Sequence, residues 1–414
     1  MLGNRRRTVF VEYDLLDCWK TDRRGEGVAK ALQKRERNSA IEALKIVAMI
    51  AIVFSHVTQS LQLPEISGGG AALNTIDTLS YCVDFKTASA DPTMWLLVCL
   101  RTLGAWGNAV FVICSAWFLC KSDKVSLNKI VKMVLDVFLI SVVILVVALL
   151  VGVRPGIKNI VKCLLPTTFA NNWFITSYLL LYMIHPALNW IFERLGKRGH
   201  AALAIGLFCL YMLFPVAHGG HFFTSELIVM ITEYVIVGYA RFYLPETMEN
   251  KRAACTACLV GTLGTLVLVA LLEVAGLHIG ALANKMFHFD KDGDPLLFLS
   301  AFGLFNLVRT HFFVSVRVSR VAAPMLFVYL IHENLIVRTY ARPSIWLWVH
   351  DTLGYGALVI WIVTFSLALF AVALACAFAY TRTLGKVAAR MEIPAERMVR
   401  KVGRYAVGWL CGLR

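Results

Sequence analysis

Three ionisable side chains fall on one line of an otherwise apolar run. Glu42, Lys45 and His56 belong to the stretch that opens Asn38-Ser39-Ala40-Ile41 and continues through Ser55. At 100° per residue, Lys45 and His56 lie within about 20° of one another on a helix, and Glu42 and Gln59 fall near the same line. A charged group inside a bilayer costs on the order of 3 kcal/mol or more, so such a face is expected to look into a helix bundle and to mark a functional site. The chemistry these types allow is proton transfer beside a bound anion. A neutral imidazole takes a proton from a hydroxyl and later returns it. For Glu42 and Lys45 the alternative is a structural pair one turn apart, with Lys45 snorkelling to an interface. His56, roughly 22 Å along the helix from Ile41, lies in the far half of the membrane.

The elements that must hold these groups follow from composition. The 414 residues are 58% hydrophobic and only 16% charged, with a mean hydropathy of +0.68. Soluble domains carry about 25% charged residues, so a bilayer is the expected solvent. The net charge of +15 does not point to nucleic acid if the basic residues collect on one side of a membrane. Apolar runs near 41–60, 94–119, 133–152, 173–192, 200–217, 226–244, 253–276, 296–314, 321–340 and 355–380 are long enough to cross. With the N-terminus inside, 30 Lys and Arg fall in cytoplasmic segments and 8 on the other side, as the positive-inside rule requires. The expected fold is an all-α polytopic bundle of about ten transmembrane helices with both termini cytoplasmic, in the inner (plasma) membrane. Residues 1–37 read as a basic cytoplasmic segment, 38–380 as the membrane domain and 381–414 as a basic tail. In that tail Met398, Val402, Tyr405 and Trp409 recur at helical spacing, which suits a helix on an anionic leaflet or a frayed end. No cleavable signal, internal repeat or soluble catalytic domain is expected, and the 11 cysteines are scattered without disulfide or metal spacing.

Four segments together resemble the acyltransferase family 3 membrane proteins. The first is Arg37, Glu42 and Lys45 (the pattern Arg-x4-acid-x2-base), followed by His56. The second is the span Gly107-Asn108 through Ser115-Ala116-Trp117-Phe118-Leu119. The third is Trp173-Phe174-Ile175 with Tyr178, Tyr182 and Pro186, and the fourth is Val328-Tyr329-Leu330-Ile331-His332. The resemblance covers about 37–380 in order. It departs from the family in having Lys45 where Arg is commoner, Ala116 for Gly, and Glu333 after His332. It implies an O-acyltransferase moving acetyl from cytosolic acetyl-CoA to a hydroxyl of a cell-surface or lipid-linked polysaccharide, with no tightly bound cofactor and no metal. Under that reading His56 is the general base or a transient acyl carrier, and Glu42 orients the donor. Arg101, about 10 Å from the exterior end of its run, positions the acceptor or stabilises an oxyanion. Lys45, Arg37, Trp173 and His332 are substrate-binding candidates.

Blander roles compete. Arg101 can pair with a carboxylate such as Glu226, Trp173 can anchor at the interface, and His332 can tie helix ends together. Glu226, Glu233 and His185 are expected to be structural. His218 and His221, around Gly219-Gly220, offer only two ligands for a metal. The rival function is a transporter or flippase of a lipid-linked saccharide with a proton relay through His56, Glu42 and Glu233; a scaffold without chemistry is the third.

Overall fold

The computed structural model describes residues 38–59, 61–63, 74–76, 90–218, 225–282, 285–353 and 355–412. Arg37, with the rest of 1–37, and His221 lie outside these residues. The described chain is helical, apart from one short antiparallel pairing of β1 (Leu61–Leu63) with β2 (Asn74–Ile76). The helices used below are α1 (Ser39–Thr58), α2 (Pro92–Leu119), α3 (Leu127–Leu150), α4 (Trp173–Phe208), α5 (Glu226–Tyr243), α6 (Lys251–His278), α7 (Pro295–Arg309), α8 (Val316–Ala322), α9 (Met325–His332), α10 (Arg342–Leu353), α11 (Leu358–Arg382) and α12 (Leu384–Gly412).

Each of the ten apolar runs contains a helix. Among the described residues six helices are long and apolar enough to cross a bilayer, or seven if the bent pair Val316–His332 and Val337–Leu353 forms one span. Two of the expected runs, 173–192 and 200–217, are joined in a single stretch of 44 residues, Trp173–Val216. A straight helix of that length would reach about 66 Å, twice a hydrocarbon core. It is broken at Gly196, where φ 60 and ψ −171 leave the helical region. Glycine is the residue that adopts that conformation without a Cβ clash.

The bundle is organised around α1. Its first turn is capped by the Asn38 side chain, which accepts from the Ala40 amide at 3.0 Å, and Asn38 Nδ2 donates to the Arg309 carbonyl. The Ser39 amide donates to Phe313 O at 2.8 Å, and the Ser315 amide donates to Ser39 Oγ at 2.8 Å. The start of α1 is thus stapled to the α7–α8 connection. Glu42 lies in this first turn, where a carboxylate complements the helix dipole.

α2 lies directly against α1. Ser55 Oγ donates to the Arg101 carbonyl at 2.7 Å. A Cβ built on Gly104 would stand 2.3 Å from Ser55 Oγ, and one on Gly107 would stand 2.7 Å from the Ala48 carbonyl. Small residues let membrane helices approach this closely, where dispersion replaces the absent hydrophobic drive. The close approach therefore falls at Gly104 and Gly107, about three and two and a half turns before the Ala116 that replaces the family's glycine. A second small-residue contact joins α6 and α7, where a Cβ on Gly303 would meet Cys258 N at 2.4 Å. Substituting Gly107 by leucine should cost about 1–3 kcal/mol through overpacking. Thermal unfolding of the detergent-solubilised protein should show a lower midpoint; an unchanged midpoint would mean that the helices part without penalty.

Candidate active site

The decisive local feature is a break. Helix α9 ends at His332, and the chain resumes as the π-helical turn Val337–Ala341 before α10, with a bend of 58° across the gap. The Asn334 side chain accepts from the Ile336 amide at 2.9 Å and restarts the helix. Irregular backbone at membrane depth is tolerated where it lines a cavity or is buried in protein. Here it turns Glu333 inward, toward His56 on α1.

His56 Nδ1 stands 2.9 Å from His332 Nε2 and 3.0 Å from Glu333 Oε2. His332 Nδ1 is 2.7 Å from the Val328 carbonyl. A carbonyl only accepts, so His332 carries its proton on Nδ1, and in the neutral ring Nε2 is left as an acceptor. Both groups facing His56 Nδ1 are then acceptors, so His56 holds its proton on Nδ1. The lone pair of His56 is on Nε2. That is the tautomer a general base requires, with a carboxylate behind it to orient the ring and stabilise the imidazolium that forms. Glu333 is fixed in turn by Arg338 Nη1 at 3.0 Å and Arg342 Nη1 at 3.2 Å. His56, His332, Glu333 and Arg342 are all buried.

Two cavities flank this network. The distal one, at the end of α1, has a volume of about 380 Å3 and is walled by His56, Arg101, Asn108, Trp173, Glu226 and Asp292, among others. Arg101 pairs through Nε with Asp290 and lies 5.5 Å over the Phe287 ring. The pairing with a carboxylate is of the expected kind, and the 3-10 turn Lys285–Asp290 supplies Asp290 for it. Asn108 Nδ2 donates to Asp292 at 2.9 Å. Burial pushes the Asp292 carboxyl, in the connection before α7, up to about 6, although the Asn108 hydrogen bond opposes the shift. Trp173 lines this cavity as well.

The proximal cavity is a narrow cleft of about 70 Å3. Glu42, Lys45, Ser115, Tyr178 and Tyr329 are among its lining residues with polar groups, and Met49, Ile52 and Phe174 are among its apolar walls. The lining residues described for the two cavities do not overlap. They are joined through ring contacts: Phe174 to Tyr329 at 5.9 Å, then Tyr329 to His56 at 6.3 Å between centroids. The face shared by Lys45 and His56 thus opens at both ends onto internal space rather than onto lipid.

Of the residues singled out from sequence, His56, Arg101, Trp173 and His332 meet at or beside the distal cavity, while Glu42 and Lys45 meet at the proximal one. His185 is buried, and its Nδ1 lies 2.6 Å from the Tyr182 carbonyl, consistent with a structural role. Sequence reasoning missed Glu333 as a partner of His56, and missed Arg338 and Arg342. The available signal was an acidic residue closing an apolar helix, with arginines five and nine positions later. His56, His332 and Glu333 also present three donor atoms within 4.8 Å of one another, a set that can bind a metal. The two guanidiniums already on Glu333 oppose a further cation there.

The chain belongs to the acyltransferase family 3: the family model, described as an acyltransferase domain, matches residues 38–382. Searches of curated proteins and of solved structures found no match. The protein is a membrane acyltransferase in the general sense that this family defines.

Removing the Glu333 carboxylate leaves the buried Arg342 guanidinium, and the partly buried one of Arg338, without this counter-charge. Glu333→Ala should cost roughly 3–5 kcal/mol, visible as lower yield and thermal midpoint. Glu333→Gln, which keeps the shape, should fold but turn over about 10²–10⁴-fold more slowly. Wild-type turnover by a folded Glu333→Gln would show that the carboxylate does not serve the base.

Proposed function

We propose that the chain transfers an acyl group, acetyl by default, from cytosolic acetyl-CoA to a sugar hydroxyl of a cell-surface or lipid-linked polysaccharide. The observation that carries this reading is the lone-pair nitrogen of His56 on a residue that walls the distal cavity, on the same helix face as Lys45 in the proximal cleft. Under the orientation favoured by the basic-residue distribution, the proximal cleft faces the cytoplasm. Lys45, with Glu42 beside it, would meet the CoA end of the donor, and the apolar walls would hold its pantetheine arm. Lysine offers a point charge rather than a bidentate fork.

The distal cavity suits a neutral polyol. Arg101, Lys291, Arg338 and Arg342 are matched there by Glu226, Asp290, Asp292 and Glu333, so no net charge selects an ionic acceptor. Carboxylates and amides bind hydroxyls, and the Trp173 indole offers a face on which a sugar ring can rest. In the proposed step His56 Nε2 removes the acceptor hydroxyl proton, and the hydroxyl oxygen attacks the thioester carbonyl. The C–O bond forms, the C–S bond breaks, and the CoA thiolate leaves with the proton from the imidazolium. Direct attack is favoured over an acyl-histidine because the His56–Glu333 pairing prepares a base. Lys45 and His56 are about 16 Å apart along the axis, so they bracket an extended donor rather than act on one atom. No tightly bound cofactor is needed.

Purified protein in proteoliposomes, given labelled acetyl-CoA and envelope polysaccharide, should release CoA and form base-labile esters. His56→Ala should abolish both, and Arg101→Lys should lower turnover sharply at normal expression. A strong chelator should leave the rate unchanged. Ester formation by His56→Ala, or its loss on metal removal, would each contradict the base assignment. Movement of a lipid-linked saccharide without any need for acetyl-CoA would instead favour transport.

A further inference from the structure

General-base attack on a thioester builds negative charge on the carbonyl oxygen, and a site for that charge must lie where the donor and acceptor cavities adjoin. The His56 network accounts for the proton but not for this oxygen. Arg101 is paired with Asp290, and Lys45 is too far along α1. At the junction stands Tyr329. Its side chain lines the proximal cleft, its ring lies 6.3 Å from His56 and 5.9 Å from Phe174, and the residue is only 3% exposed. Its hydroxyl approaches the Phe174 backbone yet has no hydrogen-bond partner of standard geometry among the described residues.

Phe174 is the second residue of α4, a helix whose capping residue, Asn172, makes no side-chain cap. The Trp173 and Phe174 amides precede the intrahelical ladder, where amide hydrogens are left to other partners, and the helix dipole favours negative charge there. Asn172 Nδ2 is buried without a partner at the same helix end. Trp173 borders the distal cavity and Phe174 the proximal one, so this helix end marks the boundary between them. A phenol whose oxygen meets the Phe174 amide, and whose own proton has no acceptor among the described residues, thus lies at this helix end beside the imidazole.

Resting on the acyl-transfer reading above, we propose that the Tyr329 hydroxyl and the amino-terminal amides of α4 form the oxyanion site for the donor's thioester carbonyl. Tyr329 donates to the carbonyl oxygen as the acceptor hydroxyl, deprotonated by His56, adds to the carbonyl carbon. When the C–S bond breaks, the oxygen returns to a carbonyl and Tyr329 keeps its proton throughout.

The test is Tyr329→Phe, which retains the ring and its contacts. Its kcat should fall about 10²–10³-fold, the usual effect of losing one oxyanion donor, with KM for acetyl-CoA little changed. Two CoA analogues separate this role from packing. A CoA-linked trifluoromethyl ketone, which presents a tetrahedral adduct, should bind the variant more weakly than wild type, whereas a CoA thioether lacking a carbonyl should bind both equally. Equal binding of the ketone, or wild-type turnover by Tyr329→Phe, overturns the proposal while leaving acyl transfer standing. Weakened binding of the thioether would identify a packing role and overturn it too. A wild-type protein that releases no CoA overturns the acyl-transfer reading and this proposal with it.

Discussion

The structure depends on one buried charge cluster: a carboxylate, Glu333, shared between the His56 imidazole and the Arg338 and Arg342 guanidiniums. Desolvating four such groups is costly, and the cost is met only when each has its partner at hydrogen-bond distance. That requirement fixes much of the surrounding architecture. The break after α9 must occur where it does for Glu333 to turn inward. α1 must pack deeply enough for His56 to reach it, and Gly104 and Gly107 permit that depth.

The same cluster gives a helix that could have been a plain membrane span an oriented, buried imidazole. His332 supplies a second acceptor on His56 Nδ1 and is itself held by the Val328 carbonyl. The imidazole therefore has a defined tautomer before any substrate arrives. Preorganisation of this kind is what separates a base from a merely buried histidine. His56 itself lines the distal cavity.

Much of this was legible in the chain. The periodicity of Glu42, Lys45 and His56 placed them on one face, and the structure puts that face against internal cavities. Each apolar run marked helical chain, although α10 and α12 fall outside the runs. They could not mark where a helix breaks, because hydropathy is blind to backbone direction; Gly196 and the gap after His332 therefore passed as continuous or separate spans. Arg101 was singled out from the sequence and does line the distal cavity, but its partner came from the 3-10 turn Lys285–Asp290, a segment with no periodic signature. Glu333 was visible only as a departure from a familiar motif. Its meaning lay in a tertiary meeting of α1 with the far end of α9, which no local pattern encodes.

That meeting has a consequence for biogenesis. His56 and His332 are 276 positions apart in the chain, and the carboxylate follows the later one. While a ribosome is still feeding helices into the bilayer, the early imidazole has neither its orienting acid nor the arginines that neutralise that acid. On the acyl-transfer reading proposed above, a chain that stops before Arg342 lacks the acid and the arginines that prepare its base, so its early helices can insert without acquiring activity.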